Sequence, residues 1–344
     1  MSDKINRQIV LASRPNGEPS DENFRLVESS CPPVADGQVL LRTIYLSLDP
    51  YMRGRMSAAK SYANPVEVGA VMEGATVSEV VASNNKQFSP GDKVISYTGW
   101  QEFGLSDGSG LRKLPADLVD IKAALGVLGM PGMTAYMGLL KIGQPKAGET
   151  VVVSAASGAV GAVVGQIAKL RGCRVVGIAG VKEKCDYVVN ELGFDACISH
   201  KEQDMATQLQ KACPKGIDVY FENVGGAVTE AVWPLLNPFA RIPVCGLIAH
   251  YNAVELPAGP NRVPAVMRDV LTKRLTLRGF IVSDFMSEQA EFVAEMGDWL
   301  KQGKIKAKVD LVDGLENAPR AFQGLLRGEN FGKLIVKVGP ESAN

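Results

Sequence analysis

The stretch VVVSAASGAVGAVVGQIAKL, from Val151 to Leu170, carries no charge before Lys169, and its reading decides the fold. Its length and apolarity suit a membrane span. Gly161 and Gly165 even have the small-xxx-small spacing of paired membrane helices. The order of residue types argues otherwise. β-Branched residues come first, the small and polar run from Ser154 to Gly158 second, and a helical period last. Val160, Val163, Val164 and Ile167 fall at i, i+3, i+4 and i+7, which is one face of a helix. We therefore read a buried strand over Val151–Ser154, a tight turn in AASGAVG, and a helix over Ala159–Arg171 that ends near Gly172. CRVVGIAG (Cys173–Gly180) supplies the next strand, completing a βαβ unit. Gly158 lets backbone approach a ligand, and Gly161 and Gly165 let the helix lie close to the sheet. The first N–H groups of that helix lack partners within it and favour an anion such as a pyrophosphate. An ordinary βα connection is the competing reading; a glycine turn between two strands that also opens a helix favours the ligand site.

Composition narrows the rest. A chain of 344 residues exceeds the usual size of one compact core, so two domains are expected. Formal net charge is zero and no long like-charge run occurs, which argues against nucleic acid or an anionic membrane as the main partner. The start MSDKINRQIVLASRP has no apolar core of signal-peptide type, so a cytoplasmic location is expected. The cysteines are Cys31, Cys173, Cys185, Cys197, Cys213 and Cys245, and the histidines are His200 and His250. No C-x-x-C pair occurs, and this spacing forms neither a metal site nor a disulfide framework.

Residues 1 to about 120 read as short strands separated by turns, for example GQVLLRTIYLSLD and GDKVISYTGWQEFGL. From about Gly126 the pattern changes to alternating helices and strands. MTAYMGLLKIG reads as a helix stopping near Gly143, with Thr134 as its cap and a pocket role second. After the βαβ unit come the helix Glu183–Leu192, the strand Ala196–Ser199, the helix Asp204–Ala212, the strand IDVYFENVGG and the helix VTEAVWPLLN. The strand RIPVCGLI, a helix near Pro264–Lys273, the strand LTLRGFIV and the helix Ser287–Lys301 follow. Such alternation means a doubly wound parallel sheet of Rossmann type. The fold class is thus α/β, with a second, mostly β domain. The final stretch, KAKVDLVDGLENAPRAFQGLLRGENFGKLIVKV, returns to strand–helix–strand and is expected to rejoin the first domain.

The second strand of the βαβ unit ends at Ala179-Gly180 without an acidic residue at its tip. An NAD site usually carries one there, about twenty residues past the glycine turn, on the ribose hydroxyls. Lys182 and Lys184 follow instead, and a lysine can pair with a 2′-phosphate.

Taken in order, LSLDPYMRGRM, LGMPGMTAYMGLL, AASGAVG, FENVGG, CGLIAHYN and GENFGKLIVKV resemble the medium-chain dehydrogenase/reductase superfamily. The resemblance is to its zinc-independent leukotriene B4 dehydrogenase/prostaglandin reductase branch, and most nearly to bacterial NADPH-dependent curcumin reductases. It spans nearly the whole chain. It implies a GroES-like substrate domain over 1–125, a Rossmann NADPH-binding domain over 126–303 and a return segment over 304–344. The implied activity is NADPH-dependent reduction of the carbon–carbon double bond of α,β-unsaturated ketones and aldehydes, by a homodimer. Zinc alcohol dehydrogenases place ligands in the segments that here read LDPYMRG and VGAVMEG; neither holds Cys or His, and the structural four-cysteine loop is missing.

The same resemblance implies a set of site residues. Ser157, Gly158, Ala159, Val160, Gly161 and Gly180 would hold the cofactor backbone, and Lys184 its 2′-phosphate. His200 stands where the animal enzymes carry a tyrosine near that phosphate; an exposed loop histidine is the equal alternative. Asn223, Cys245, Gly246, Leu247, Ile248, Tyr251, Phe280, Ile281, Val282 and Asn330 complete the cofactor contacts, with Asn330 at the nicotinamide end. Enone reduction needs a donor for the negative charge that develops on the carbonyl oxygen, and neutral tyrosine can serve. Tyr251 is assigned that role; Tyr51 would line the substrate pocket or pack structurally, and Arg53 is a weaker candidate for substrate contact. A quinone reductase of the same superfamily and a non-catalytic NADPH-binding protein are the alternatives.

Overall fold

The valine-rich runs become the middle of a six-stranded parallel sheet. Residues 5–255 and 258–341 are described by the computed structural model. The chain divides into two units: one comprises Met1–Leu125, Val309–Asn330 and Leu334–Asn344, the other Gly126–Lys308 and Phe331–Lys333.

In the first unit, β1 (Ile5–Leu11) and β2 (Phe24–Ser30) form an antiparallel pair. A seven-stranded sheet is built on β3 (Val39–Ser47), a strand buried along its whole length. The one-turn helix α1 (Met52–Arg55) follows β3. The other strands of that sheet are β4 (Thr76–Ser83), β5 (Lys93–Ser96), β6 (Phe103–Ser106) and β7 (Arg112–Lys113). The return segment adds β14 (Val309–Asp313), α9 (Ala318–Leu326) and β15 (Lys333–Lys337), which pairs antiparallel with β3. The apolar face of α9 supplies Phe322, which meets Trp100 and Phe24 edge-on in a core that also holds Met52 and Leu48.

The second unit opens with α2 (Met130–Met137), whose N-cap is Gly129. Thr134, expected as the cap, lies a full turn inside and donates to the Met130 carbonyl at 2.8 Å. This is the back-bonding that hydroxyl side chains adopt within a helix. The expected single helix widens to π-helical geometry over Gly138–Gly143. There a Cβ on Gly138 would stand 2.6 Å from the Phe280 ring and 2.7 Å from that of Phe221.

The remaining elements are β8 (Thr150–Ser154), α3 (Gly161–Leu170), β9 (Arg174–Ala179), α4 (Lys182–Asn190), β10 (Ala196–Ser199), α5 (Met205–Ala212) and β11 (Ile217–Phe221). They continue with α6 (Gly226–Val232), β12 (Leu236–Val244), α7 (Val263–Lys273), β13 (Thr276–Gly279) and α8 (Gln289–Lys301). Helix α6 is shorter than the sequence pattern suggests, because Pro234 ends it and β12 starts at Leu236.

The sheet order is β10-β9-β8-β11-β12-β13, with every pairing parallel. Chain direction therefore reverses its progress across the sheet between β8 and β11, the switch point at which doubly wound folds bind ligands. Val151, Val152, Val153, Val175 and Val176 are wholly inaccessible. Each such burial is worth about 1.5 kcal/mol or more relative to exposure. Both faces of these strands are covered, which is why they read as continuous apolar runs rather than alternating ones.

Candidate cofactor site

The residues singled out in the second unit gather along one line, the carboxyl edge of the parallel sheet. Ser157–Gly161 follow β8, Gly180 and Lys184 follow β9, and His200 follows β10. Asn223 follows β11, Cys245–Tyr251 follow β12, and Phe280–Val282 follow β13.

The turn after β8 is close-packed. Ala155 takes a left-handed φ of 52°, and a Cβ on Gly161 would stand 2.3 Å from the Ala155 carbonyl oxygen. Only glycine fits there, so the helix can start directly on the turn and aim its first N–H groups at the space above the strand ends. A Cβ on Gly165 would strike the Phe194 ring at 1.8 Å, so this glycine makes room for that ring rather than for the sheet itself. The fit to a dinucleotide pyrophosphate is thus one of backbone amides and helix polarity.

Cations collect at the ends of β9 and β10. Lys184 is buried, 9% exposed, at the third position of α4. Placing a cation in the first turn of a helix opposes the macrodipole, so a negative ligand is the natural complement. Exposed Lys182 is engaged with Asp186 at 2.6 Å and is not the phosphate ligand of choice. His200 Nε2 lies 3.6 Å from where a Gly180 Cβ would be, and Lys201 Cε lies 3.9 Å from it. His200 is exposed at the surface, yet the protein around its ring partly desolvates it, and this, with the charges of Lys201 and Lys184 after it, holds the imidazole below the ordinary histidine range. Lys201 was not singled out from the sequence, although its place beside His200 at a strand end was the available signal.

At the switch point the side chains are tied together. The Asn223 amide nitrogen donates to the Ser154 carbonyl at 2.8 Å, and its backbone N–H to Ser154 Oγ at 2.8 Å. Ile248 N–H reaches the Asn223 carbonyl at 3.3 Å and Ala249 N–H the Val224 carbonyl at 2.9 Å. The turn that ends in Tyr251 is therefore hung from the Asn223–Val224 backbone. Tyr251 OH accepts from Leu247 N–H at 3.4 Å, and it would stand 3.0 Å from a Cβ on Gly246. Gly246 thus leaves the room in which the phenol sits. Burial pushes the Cys245 thiol up to about 12, which makes it inert. The Phe280 ring is buried against Phe221 and Phe285, so only its backbone is available to a ligand.

In the first unit, Tyr51 is the N-cap of α1, and burial, helped by Asp49, raises its pKa, so its phenol stays protonated. Arg55, rather than Arg53, lies over the Tyr51 ring at 5.6 Å and over the exposed Tyr62 at 4.8 Å. Arg53 is buried and donates to the Gly17 carbonyl at 2.7 Å, a structural use of its guanidinium. Asn330 is half-buried in the connection between α9 and β15. Among the described residues no three His, Cys, Asp or Glu side chains stand together as a metal site, and no helix is long and apolar enough to cross a membrane.

A glycine-shaped anion turn at the switch point, with a cationic pocket in place of an acidic strand tip, defines a Rossmann-type nucleotide oxidoreductase. Comparison with known proteins agrees. Residues 7–114 match the family described as N-terminal domain of oxidoreductase, and residues 159–302 the family described as zinc-binding dehydrogenase. The chain is 59% identical over 334 residues to the NADPH-dependent curcumin reductase of Escherichia coli (strain K12), covering 97% of each. It is 44% identical over 326 residues to rat (Rattus norvegicus) prostaglandin reductase 1, covering 93% of this chain and 95% of that one. The crystal structure of CurA from Vibrio vulnificus in complex with NADPH superposes with a TM-score of 0.95 at 58% identity, covering 97% of this chain and 99% of that one. The chain belongs to the zinc-independent medium-chain dehydrogenase/reductase family, in the branch that holds the curcumin and prostaglandin reductases.

Proposed function

We propose that this protein reduces the carbon–carbon double bond of α,β-unsaturated ketones and aldehydes with NADPH. The observation that carries the reading is the pairing of an NADPH-type anion site with the Tyr251 turn on one sheet edge. The relatives named for NADPH-dependent curcumin and prostaglandin reduction support it. The first unit is assigned as the substrate domain and the second as the cofactor domain, with the return starting at Val309 rather than at the expected 304 and with Phe331–Lys333 going to the second unit.

When bound, NADPH supplies the hydride that goes to the substrate's β-carbon. The turn Ser157–Gly161 and the α3 N-terminus would hold its pyrophosphate, while Lys184, with His200 and Lys201 beside it, would take the 2′-phosphate. The substrate enolate that a hydride leaves would carry its negative charge on the carbonyl oxygen until water supplies the proton at the α-carbon that completes the reduction. A donor already in place there lowers the barrier without reorganisation, and Tyr251 is assigned to it. Tyr51 is assigned to the substrate and Asn330 to the cofactor, as the resemblance implies. Quinone oxidoreductases are also among similar structures, but at about one-fifth identity they bear on the fold alone. The deciding assay is NADPH oxidation with a panel of enones, enals and quinones. Turnover of quinones but not enones overturns the assignment.

A homodimer is proposed on the edge of the parallel sheet. Every residue of β13 is exposed, among the described residues that strand pairs with β12 alone, and Leu271, Met267 and Val263 of α7 are exposed as well. Open strand edges of this kind pair with another chain unless blocked. Light scattering at the mass of one chain would refute the pairing. A cytoplasmic location is proposed with it.

A further inference from the structure

The acidic residue inside FENVGG has no part in the reaction as described, yet it is the most heavily bonded side chain at the switch point. Glu222 is 3% exposed. Its Oε1 accepts from Tyr220 OH at 2.9 Å, Val224 N–H at 2.8 Å, Gly225 N–H at 2.9 Å and Ser154 Oγ at 3.2 Å. Its Oε2 accepts from Thr229 Oγ1. All five donors are neutral. Its backbone carbonyl accepts from Cys245 N–H at 2.9 Å and Gly246 N–H at 3.1 Å. One residue therefore ties together the end of β8, the Asn223–Gly225 turn and the start of the segment that leads to Tyr251.

We propose that Glu222 is a positioning residue for the reduction: its buried carboxylate fixes the Val224–Gly225 turn, from which the Tyr251 turn is suspended. The path is short and continuous. The carboxylate holds the Val224 and Gly225 amides, the Asn223 and Val224 carbonyls hold the Ile248 and Ala249 amides, and the Ile248 carbonyl accepts from Tyr251 N–H at 3.2 Å. A buried carboxylate costs more to desolvate than an amide or an apolar side chain. Stability alone is therefore a poor reason for placing a charge here. Hydrogen bonds to an ionised acceptor are roughly twice as strong as neutral ones, and four of them converge on one oxygen. Burial and Glu222 together also push the Tyr220 phenol well above its ordinary range, so it remains a donor.

The proposal rests on the reading that Tyr251 meets the substrate, and its test separates the two. Glu222→Gln keeps the shape and removes the charge; its Oε1 can still accept from the Val224 and Gly225 amides, and its Nε2 can donate one hydrogen to Thr229 Oγ1 if that hydroxyl turns to accept. Hydrogen exchange at the Ile248 and Ala249 amides should rise on the order of tenfold while amides of β8 and β9 stay protected. kcat for an enone should fall on the order of tenfold, with the NADPH Kd changed much less. Combined with Tyr251→Phe, the loss in kcat should be far from additive, because both changes act on one contact. Unchanged exchange at Ile248 and Ala249 overturns the positioning role, and so does full additivity where Tyr251→Phe itself lowers kcat. Tyr220→Phe, which removes one donor and leaves the charge, should show the same pattern more weakly; exchange and kcat unchanged in it as well as in Glu222→Gln also overturn it. If Tyr251→Phe alone leaves kcat intact, the catalytic reading of Tyr251 falls, and the exchange data still decide on Glu222.

Discussion

Replacing Lys184 with alanine should separate the two nicotinamide cofactors. The side chain is 9% exposed and stands in the first turn of α4. A charge-assisted contact to a phosphate is worth about 1.5–3 kcal/mol. That span corresponds to roughly ten- to a hundredfold in Kd. His200 and Lys201 remain beside Gly180 in the variant and retain part of the attraction. The expected loss therefore lies at the lower end, about ten- to thirtyfold for NADPH. Removing Lys184 also removes one of the charges that lowers His200, so the imidazole becomes easier to protonate and offsets the loss further at acid pH. NADH has no 2′-phosphate, so its Kd should change less than about twofold. Titration of protein fluorescence with each cofactor at pH 7.5 measures both constants on the same sample. Equal weakening of NADPH and NADH would falsify the phosphate assignment and make Lys184 a support for α4.

Tyr251→Phe should lower kcat for a slow enone by about ten- to a thousandfold, with the NADPH Kd little affected; stopped-flow NADPH oxidation with chemistry limiting reads this, and an unchanged rate removes the donor role. His200 has a lowered pKa, so it is neutral at pH 7 and gains its charge only below the ordinary histidine range. Its protonated form favours a phosphate, so the ratio of NADPH affinity between wild type and His200→Asn should grow as pH falls below about 6; a flat ratio from pH 7.5 to 5 refutes that contact. Gly161→Ala places a Cβ 2.3 Å from the Ala155 carbonyl oxygen. Overpacking at such a backbone contact costs about 1–3 kcal/mol, so the Tm should drop and NADPH should bind more weakly; an unchanged Tm shows that the turn is not constrained as described.

The order of strands and helices, the glycine turn after Val151–Ser154 and the missing acid after Ala179 were all legible in the chain. Each is a local property: period, backbone freedom and charge at a fixed distance along the sequence. The resemblance added the residues that follow the later strands, and the sheet order carries every one of those in the second unit to a single edge. What no local pattern encodes is which side chain a neighbour occupies. Arg53 and Arg55 are equivalent in sequence, yet one bonds the Gly17 carbonyl and the other covers two tyrosine rings. Thr134 looked like a cap because hydroxyls favour helix starts, but Gly129 and Pro131 had already set the start a turn earlier. Glu222 was not singled out from the sequence, where it is one acid beside a glycine turn. Tyr220, Val224, Gly225 and Thr229 reach its carboxylate from within the same stretch of chain, while the parallel pairing of β8 with β11 adds Ser154, and the tertiary fold buries the whole cluster. Burial and partner choice are long-range properties, fixed when distant strands meet, and it is there that the tertiary structure rather than the sequence decided the chemistry of the site.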